Sequence, residues 1–441
     1  MTSRDDRFRT EGLAPGARRH PLLWVPSLYF AMGIPNVTVS VLAAILYKNL
    51  GYSNEVIALA TSQMYLPWAL KPLWAPFMEP FRTKRFWAIS MQFLIAALLG
   101  LIAFSLPLPG FFAMSLAFFW IVGFASATQD IAADAIYLTT LPPKAQARFI
   151  GVQSMFYHVG FVLAAGLLVT LTGRLHDDLG LDWPHAWMVI MAIIATIMLA
   201  CGLWHSRMLP PGDSPRFPAP PFVAALDSLR ETWRTFFQKP QIGMMLLVCF
   251  FYRFGEGFIE KFGPLFLLDP RTVGGLGLSN AAIGNIYGTL GTLGFLAGSV
   301  LGGLFAAKMT LRRSFLVLAL AVNLPHVTYY LLSVGQPENL WLIATAVTIE
   351  KFGYGFGAVG HMLYMMQQIA PGPFRMTHYA FATAVMGLTK WASGSLSAGL
   401  YAATGHSYQL FFLFVLAASL PPILLAWLAP FPRSEDSEPK N

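Results

Sequence analysis

The chain has 441 residues, of which 56% are hydrophobic and only 11% are charged. That balance excludes a soluble globular domain and points to a polytopic membrane protein. The formal charge of +8 is distributed among short loops, which reads as membrane topology and not as a nucleic-acid surface.

Residues 1–21 form a polar, basic tail. The apolar stretch behind it lacks a short h-region and a small-residue cleavage site, so no cleaved signal is expected. About twelve apolar runs follow, each near the ~20 residues a spanning helix needs. They fall at 22–47, 55–79, 85–106, 109–140, 147–172, 185–208, 241–268, 279–307, 311–334, 338–370, 375–401 and 405–430. Continuous runs of this kind argue against a barrel of short alternating strands. Cys201 and Cys249 both lie in such runs, without a disulfide framework or a CxxC metal pattern. The longest polar interruption, 209–240, opens with the Pro-rich PPGDSPRFPAPP, which cannot continue a helix. Behind it Phe222, Leu226, Leu229, Trp233 and Phe236 recur at helical spacing, as in an amphipathic helix lying on the membrane surface. The expected organisation is a six-helix bundle over 22–208, this linker, a second six-helix bundle over 241–430, and a tail at 431–441. With the N-terminus inside, the inner segments collect Arg18, Arg19, Arg82, Lys84, Arg85, Lys144, Arg148, Arg207, Lys308, Arg312 and Arg313, among others. The outer loops keep only Lys48, Arg174 and Arg271. By the positive-inside rule both termini are cytoplasmic.

Ionisable residues inside the apolar runs carry the functional signal, because a charge at the bilayer centre costs roughly 2.5–3.5 kcal/mol on insertion scales. The second run reads LPWALKPLWAP and holds Lys71 among three prolines that bend a helix. Lys71 could bind a substrate carboxylate, pair with Asp130, or reach back to the interface. In the fourth run Asp130 and Asp134, behind Gln129, stack one turn apart on a helical face. Such a pair can exchange a proton or simply bridge to a basic group. The seventh run places Arg253, Glu256 and Glu260 at i, i+3 and i+7, one face if the helix is continuous. That spacing suits an anion clamp with a proton acceptor, or a structural pair between Arg253 and Glu256. Lys261 points elsewhere. In the tenth run Glu350-Lys351 precedes Gly353, Gly355, Gly357 and Gly360. The glycines permit close packing or local unwinding, and no strand precedes them to make a nucleotide loop. Lys390 and His158 are further lining candidates; lone helical histidines, His326 and His361 included, more often bond locally. A ladder at Gly284, Gly288, Gly291, Gly294, Gly298 and Gly302 reads as a packing seam. No HExxH, GxSxG or P-loop pattern supports an enzyme.

Two loops repeat one signature. Ala75-PFM-Glu79-PF-Arg82-T-Lys84-Arg85 after the second run matches Gly303-LFA-Ala307-Lys308-MTL-Arg312-Arg313 after the eighth. Both resemble the G-x-x-x-D-[RK]-x-x-[RK]-[RK] loop of the major facilitator superfamily, in degenerate form. The resemblance implies an all-α fold of twelve transmembrane helices in two pseudo-symmetric bundles, with alternating access between them. Further stretches narrow the branch. Tyr29-FAM-Gly33-I-Pro35, Lys71-P-Leu73-Trp74-A-Pro76-F-Met78-Glu79, Ser126-AT-Gln129-Asp130-IAA-Asp134-Ala135 and Glu350-K-Phe352-GY-Gly355-F-Gly357 are similar to motifs of the AmpG-type muropeptide permeases, in the peptide/acetyl-coenzyme A transporter family. Glu79 in place of an aspartate and the charged seventh run depart from that pattern. The resemblance implies proton-driven import of peptidoglycan fragments across a bacterial inner membrane. It carries Lys71, Gln129, Asp130 and Asp134 over as site residues; related branches import siderophores. The expectation is therefore a monomeric secondary transporter in the lipid bilayer, with a small-molecule substrate, no metal or organic cofactor, no nucleic acid, and a proton gradient as driving force. Asp130, Asp134, Glu256 and Glu350 are the proton-coupling candidates. Asn36, Lys71, Gln129, Gln153, Tyr157, Arg253 and Lys390 are the substrate-binding candidates.

Overall fold

A computed structural model describes residues 20–75, 78, 82–141, 143–210, 230–371 and 375–432, with the backbone alone at 138, 143–148, 150, 151, 307 and 375–377. Glu79, most of the expected interfacial helix and both tails lie outside the described residues.

The described chain forms helices α1 (Pro21–Asn49), α2 (54–73), α3 (Lys84–Ser105), α4 (Phe111–Thr140), α5 (143–177) and α6 (Trp183–Met208). After a short helical turn at 230–237 come α7 (Ile242–Leu268), α8 (Asn280–Ala306), α9 (Leu311–Gly335), α10 (340–369), α11 (Arg375–Ala403) and α12 (Tyr408–Trp427). Nine of these are long and apolar enough, among the described residues, to cross a membrane. The other three, α2, α10 and α11, are the ones interrupted by Lys71, by Glu350 with Lys351, and by Lys390.

Proline chemistry shapes α2. Helix runs to Gln63, turns at Met64 and Tyr65, resumes over Leu66–Leu70 and tightens over Lys71–Leu73. Pro67 and Pro72 remove donors and so permit the bend. α7 is also interrupted: helix covers Ile242–Phe251 and Phe254–Leu268, with Tyr252 and Arg253 between. The single helical face expected for Arg253, Glu256 and Glu260 is thereby lost.

The α8 glycine ladder is a seam with two sides. A methyl at Gly298 would stand 2.1 Å from the Phe352 carbonyl oxygen of α10, and one at Gly288 would stand 2.1 Å from that of Ala165 on α5. Only glycine permits either approach. The first contact lies within the second bundle, and the second joins the bundles. α10 stays helical through all four of its glycines, so they serve packing and not unwinding.

By the alternation of the helices, residues 20, 210, 230 and 432 lie at one end of the bundles. The opposite end is plugged. There Asp269, at the end of α7, receives the Lys48 ammonium, Asn54 Nδ2 at 2.6 Å and Tyr408 OH at 2.5 Å. Asn49 and Asn280 exchange amide hydrogen bonds of 2.6 and 3.2 Å, and Trp187 donates to Asn49 at 2.9 Å. Lys48, Asn49 and Asn54 come from the first bundle, Asp269, Asn280 and Tyr408 from the second. In the linker turn Phe236 is buried against Phe381 of α11, while Arg234 pairs with Glu231 on the exposed side.

Candidate functional site

α4 sets Asp130 and Asp134 one turn apart. The bend in α2 aims Trp68 at them, and its Nε1 donates to Asp130 Oδ2 at 2.9 Å. Close packing permits this: Gly123 of α4 faces Pro67, where a methyl would stand 3.3 Å from Cγ. Tyr29 of α1 donates its hydroxyl to Asp134 Oδ1 at 2.9 Å. Lys71 is the cation whose field reaches both carboxylates, but it forms no direct ion pair among the described residues. Gln129 is fully buried, with neither amide atom hydrogen-bonded among the described residues. Asn36, Gln153 and Tyr157 are half-buried in the same bundle. Asn36 and Gln153 make no side-chain hydrogen bond among the described residues, and the Tyr157 backbone packs against Gly33 of α1. Among the described residues this bundle therefore gathers two carboxylates held by neutral donors, one ammonium without an ion pair and several amide groups without side-chain hydrogen bonds.

The second bundle holds two distinct clusters. In one, Lys351 Nζ lies 3.2 Å from Glu256 Oε1 and 3.2 Å from Glu350 Oε2. His326 Nε2 stands 3.5 Å from Glu256 Oε2, and its Nδ1 is 2.9 Å from Ser419 Oγ. Glu350 is wholly buried and Glu256 is 2% exposed. Ligand atoms of Glu256, His326 and Glu350 lie within 4.8 Å of one another, a spacing that could hold a metal ion. The Lys351 ammonium already occupies the cationic position between the carboxylates. The partner of Glu256 is thus Lys351 and not Arg253, because the break in α7 swings Arg253 over the Tyr354 ring, at 5.1 Å.

The other cluster joins the bundles. Lys390 Nζ lies 3.0 and 2.9 Å from the two oxygens of Glu260, and the Tyr65 hydroxyl of α2 donates to the same carboxylate. Lys261, one position on, turns into α2 and donates to Thr61 Oγ1 at 2.9 Å. Arg253, Glu256, Glu260, His361 and Lys390 line a pocket of about 10 Å³, room for about one water molecule.

The chain matches the Major Facilitator Superfamily over residues 27–398. It belongs to that superfamily. It is similar to the anhydromuropeptide permease of Escherichia coli strain K12, at 25% identity over 407 residues, covering 90% of this chain and 77% of that one. A protein of Rickettsia conorii named putative transporter AmpG 4 is 23% identical over 404 residues, covering 89% and 92%. A bacterial homologue of the human lysosomal transporter Spinster, inward-facing and unoccupied, superposes with a TM-score of 0.69 at 18% identity, covering 92% and 96%. A D-xylose–proton symporter superposes at 0.66 with 14% identity, covering 91% and 96%. These structural likenesses show the fold alone.

The resemblance read from the α2 and α4 motifs is borne out, and the chain is a multi-pass membrane transporter of this superfamily, not an enzyme. Sequence reading missed several partners of the charged residues. Trp68 was legible only as an aromatic, and Tyr29 only as part of a motif. Lys351 and His326 meet Glu256 across sequence gaps of 95 and 70 residues, which no local pattern reports. His158 bonds locally, its Nδ1 2.8 Å from the Ser154 carbonyl oxygen. His361 stacks on Tyr252 inside the second bundle.

Proposed function

We propose that this transporter imports anhydromuropeptides or related carboxylated amino-sugar solutes, driven by protons, as a monomer in a bacterial inner membrane with both termini cytoplasmic. The observation that carries the reading is the Asp130–Asp134 pair on α4, facing Trp68 and Tyr29 with Lys71 nearby. Carboxylates held by neutral donors can take up and release a proton without breaking an ion pair. Lys71 is then available to a substrate carboxylate, and Gln129, Asn36 and Gln153 to acetamido or hydroxyl groups. The Glu256–Glu350 cluster, filled by Lys351, is assigned to the scaffold. Similarity to an anhydromuropeptide permease over most of the chain supports the solute class.

Alternating access follows from the plug. Its Lys48–Asp269 pair and its asparagine pair must separate for the opposite face to open, so solute and proton together must favour the state closed there. The test is reconstitution into liposomes with an imposed pH gradient. Labelled anhydro-disaccharide and muropeptide should accumulate, and a ferric siderophore should not. Siderophore accumulation with inert muropeptide would replace the proposed substrate by that of a neighbouring branch. Net efflux under the same gradient would reverse the direction.

A further inference from the structure

We propose that Glu260 is an internal counter-ion occupying the place of a solute carboxylate, and that Lys390, Arg253 and Lys261 form the anion subsite it fills. The inference rests on the solute reading above and adds a group of residues to it. α7 and α11 bring Lys261 and Lys390 to the seam with α2, and Arg253 lines the same small pocket as Glu260 and Lys390. Arg253 is 8% exposed and Lys261 2%, and neither forms an ion pair among the described residues. Lys261 and Lys390 both lie over the Tyr65 ring, 4.9 and 5.1 Å from its centroid. Among the described residues, Glu260 is the one carboxylate paired with any of the three, through Lys390. Glu256, on the same pocket wall, is committed to Lys351.

A buried cation without a counter-charge costs several kcal/mol. A group of three around one carboxylate therefore favours entry of a second anion. The pocket beside them, at about 10 Å³, is too small for a carboxylate while Glu260 stays in place. Two contacts that hold Glu260 and Lys261 come from the other bundle: the Tyr65 hydroxyl on Glu260 and Thr61 on Lys261. Separation of α2 from α7 withdraws both. Glu260 then keeps only Lys390, and a solute carboxylate can displace it. The subsite selects solutes bearing a carboxylate and discriminates against their neutral esters.

The test uses the full chain in detergent, with a muropeptide and its methyl ester as probes in equilibrium binding. Wild-type protein should prefer the acid by about tenfold, the scale of a hydrogen-bonded charge. Glu260→Gln removes the competitor and should tighten acid binding several-fold with ester binding unchanged. Lys390→Met should abolish the preference. The double variant Glu260→Gln, Lys390→Met leaves no orphaned charge in that pair, so it tests the same point if the single variant does not fold. Equal binding of acid and ester by wild-type protein would overturn the subsite while leaving the solute reading intact, as would unchanged acid affinity in Glu260→Gln. Binding of neither probe would overturn both.

Discussion

In the first bundle Asp130 and Asp134 sit a turn apart on one helix and are held by neutral donors, Trp68 and Tyr29. In the second, Glu256 and Glu350 come from separate helices and share the Lys351 ammonium. Asp130, Glu256 and Glu350 are buried and Asp134 is half-buried, yet the consequences differ between the two pairs. A carboxylate bonded to an indole or a phenol changes its proton occupancy at the expense of one neutral hydrogen bond. Two carboxylates that share one buried ammonium cannot both lose their charge without stranding that ammonium. Burial of a charge inside a membrane protein therefore does not by itself mark a working group; the partner decides.

The sharpest way to break this comparison is to remove the shared cation. Lys351→Met leaves two carboxylates facing each other and His326, and should destabilise the protein by ~3–5 kcal/mol. Thermal unfolding in detergent measures this, and a variant as stable as wild type would remove the scaffold role. Next in size, Asp130→Asn should abolish accumulation under a pH gradient while protein abundance stays at the wild-type level. Wild-type accumulation would take Asp130 out of coupling. Trp68→Phe is milder: it deletes the donor to Asp130 and keeps the ring, so a loss of ~1–2 kcal/mol is expected, read as a several-fold lower initial uptake rate. The smallest effect belongs to Glu350→Gln. One ammonium cannot neutralise two carboxylates, so the amide removes an uncompensated charge at nearly constant volume. Stability should stay within ~1 kcal/mol of wild type and gradient-driven uptake should persist. Loss of uptake with normal stability would move proton coupling into the second bundle.

The sequence foretold the motif-bearing parts well because their information is local. Asp130 and Asp134 needed only helical spacing, and the bend at Lys71 needed only its flanking prolines. The α8 ladder was recognisable as a seam for the same reason. What escaped was the pairing across helices. The i, i+3, i+7 spacing of Arg253, Glu256 and Glu260 presumed an unbroken helix, whereas the turn at Tyr252–Arg253 sends the three side chains to different neighbours. Glu260 entered only as part of that presumed face; its actual partners, Tyr65 and Lys390, are 195 and 130 residues away.

Sequence alone determined that the chain lies in a membrane, that its helices number about twelve, and which superfamily and branch it resembles. Hydropathy, proline placement and short motifs act over a few residues, and so they survive in one dimension. Tertiary structure decided which buried charges are compensated, which helices touch through glycine, and at which end the bundles are sealed. Those depend on distances between groups far apart in the chain, set only when all the apolar faces pack at once.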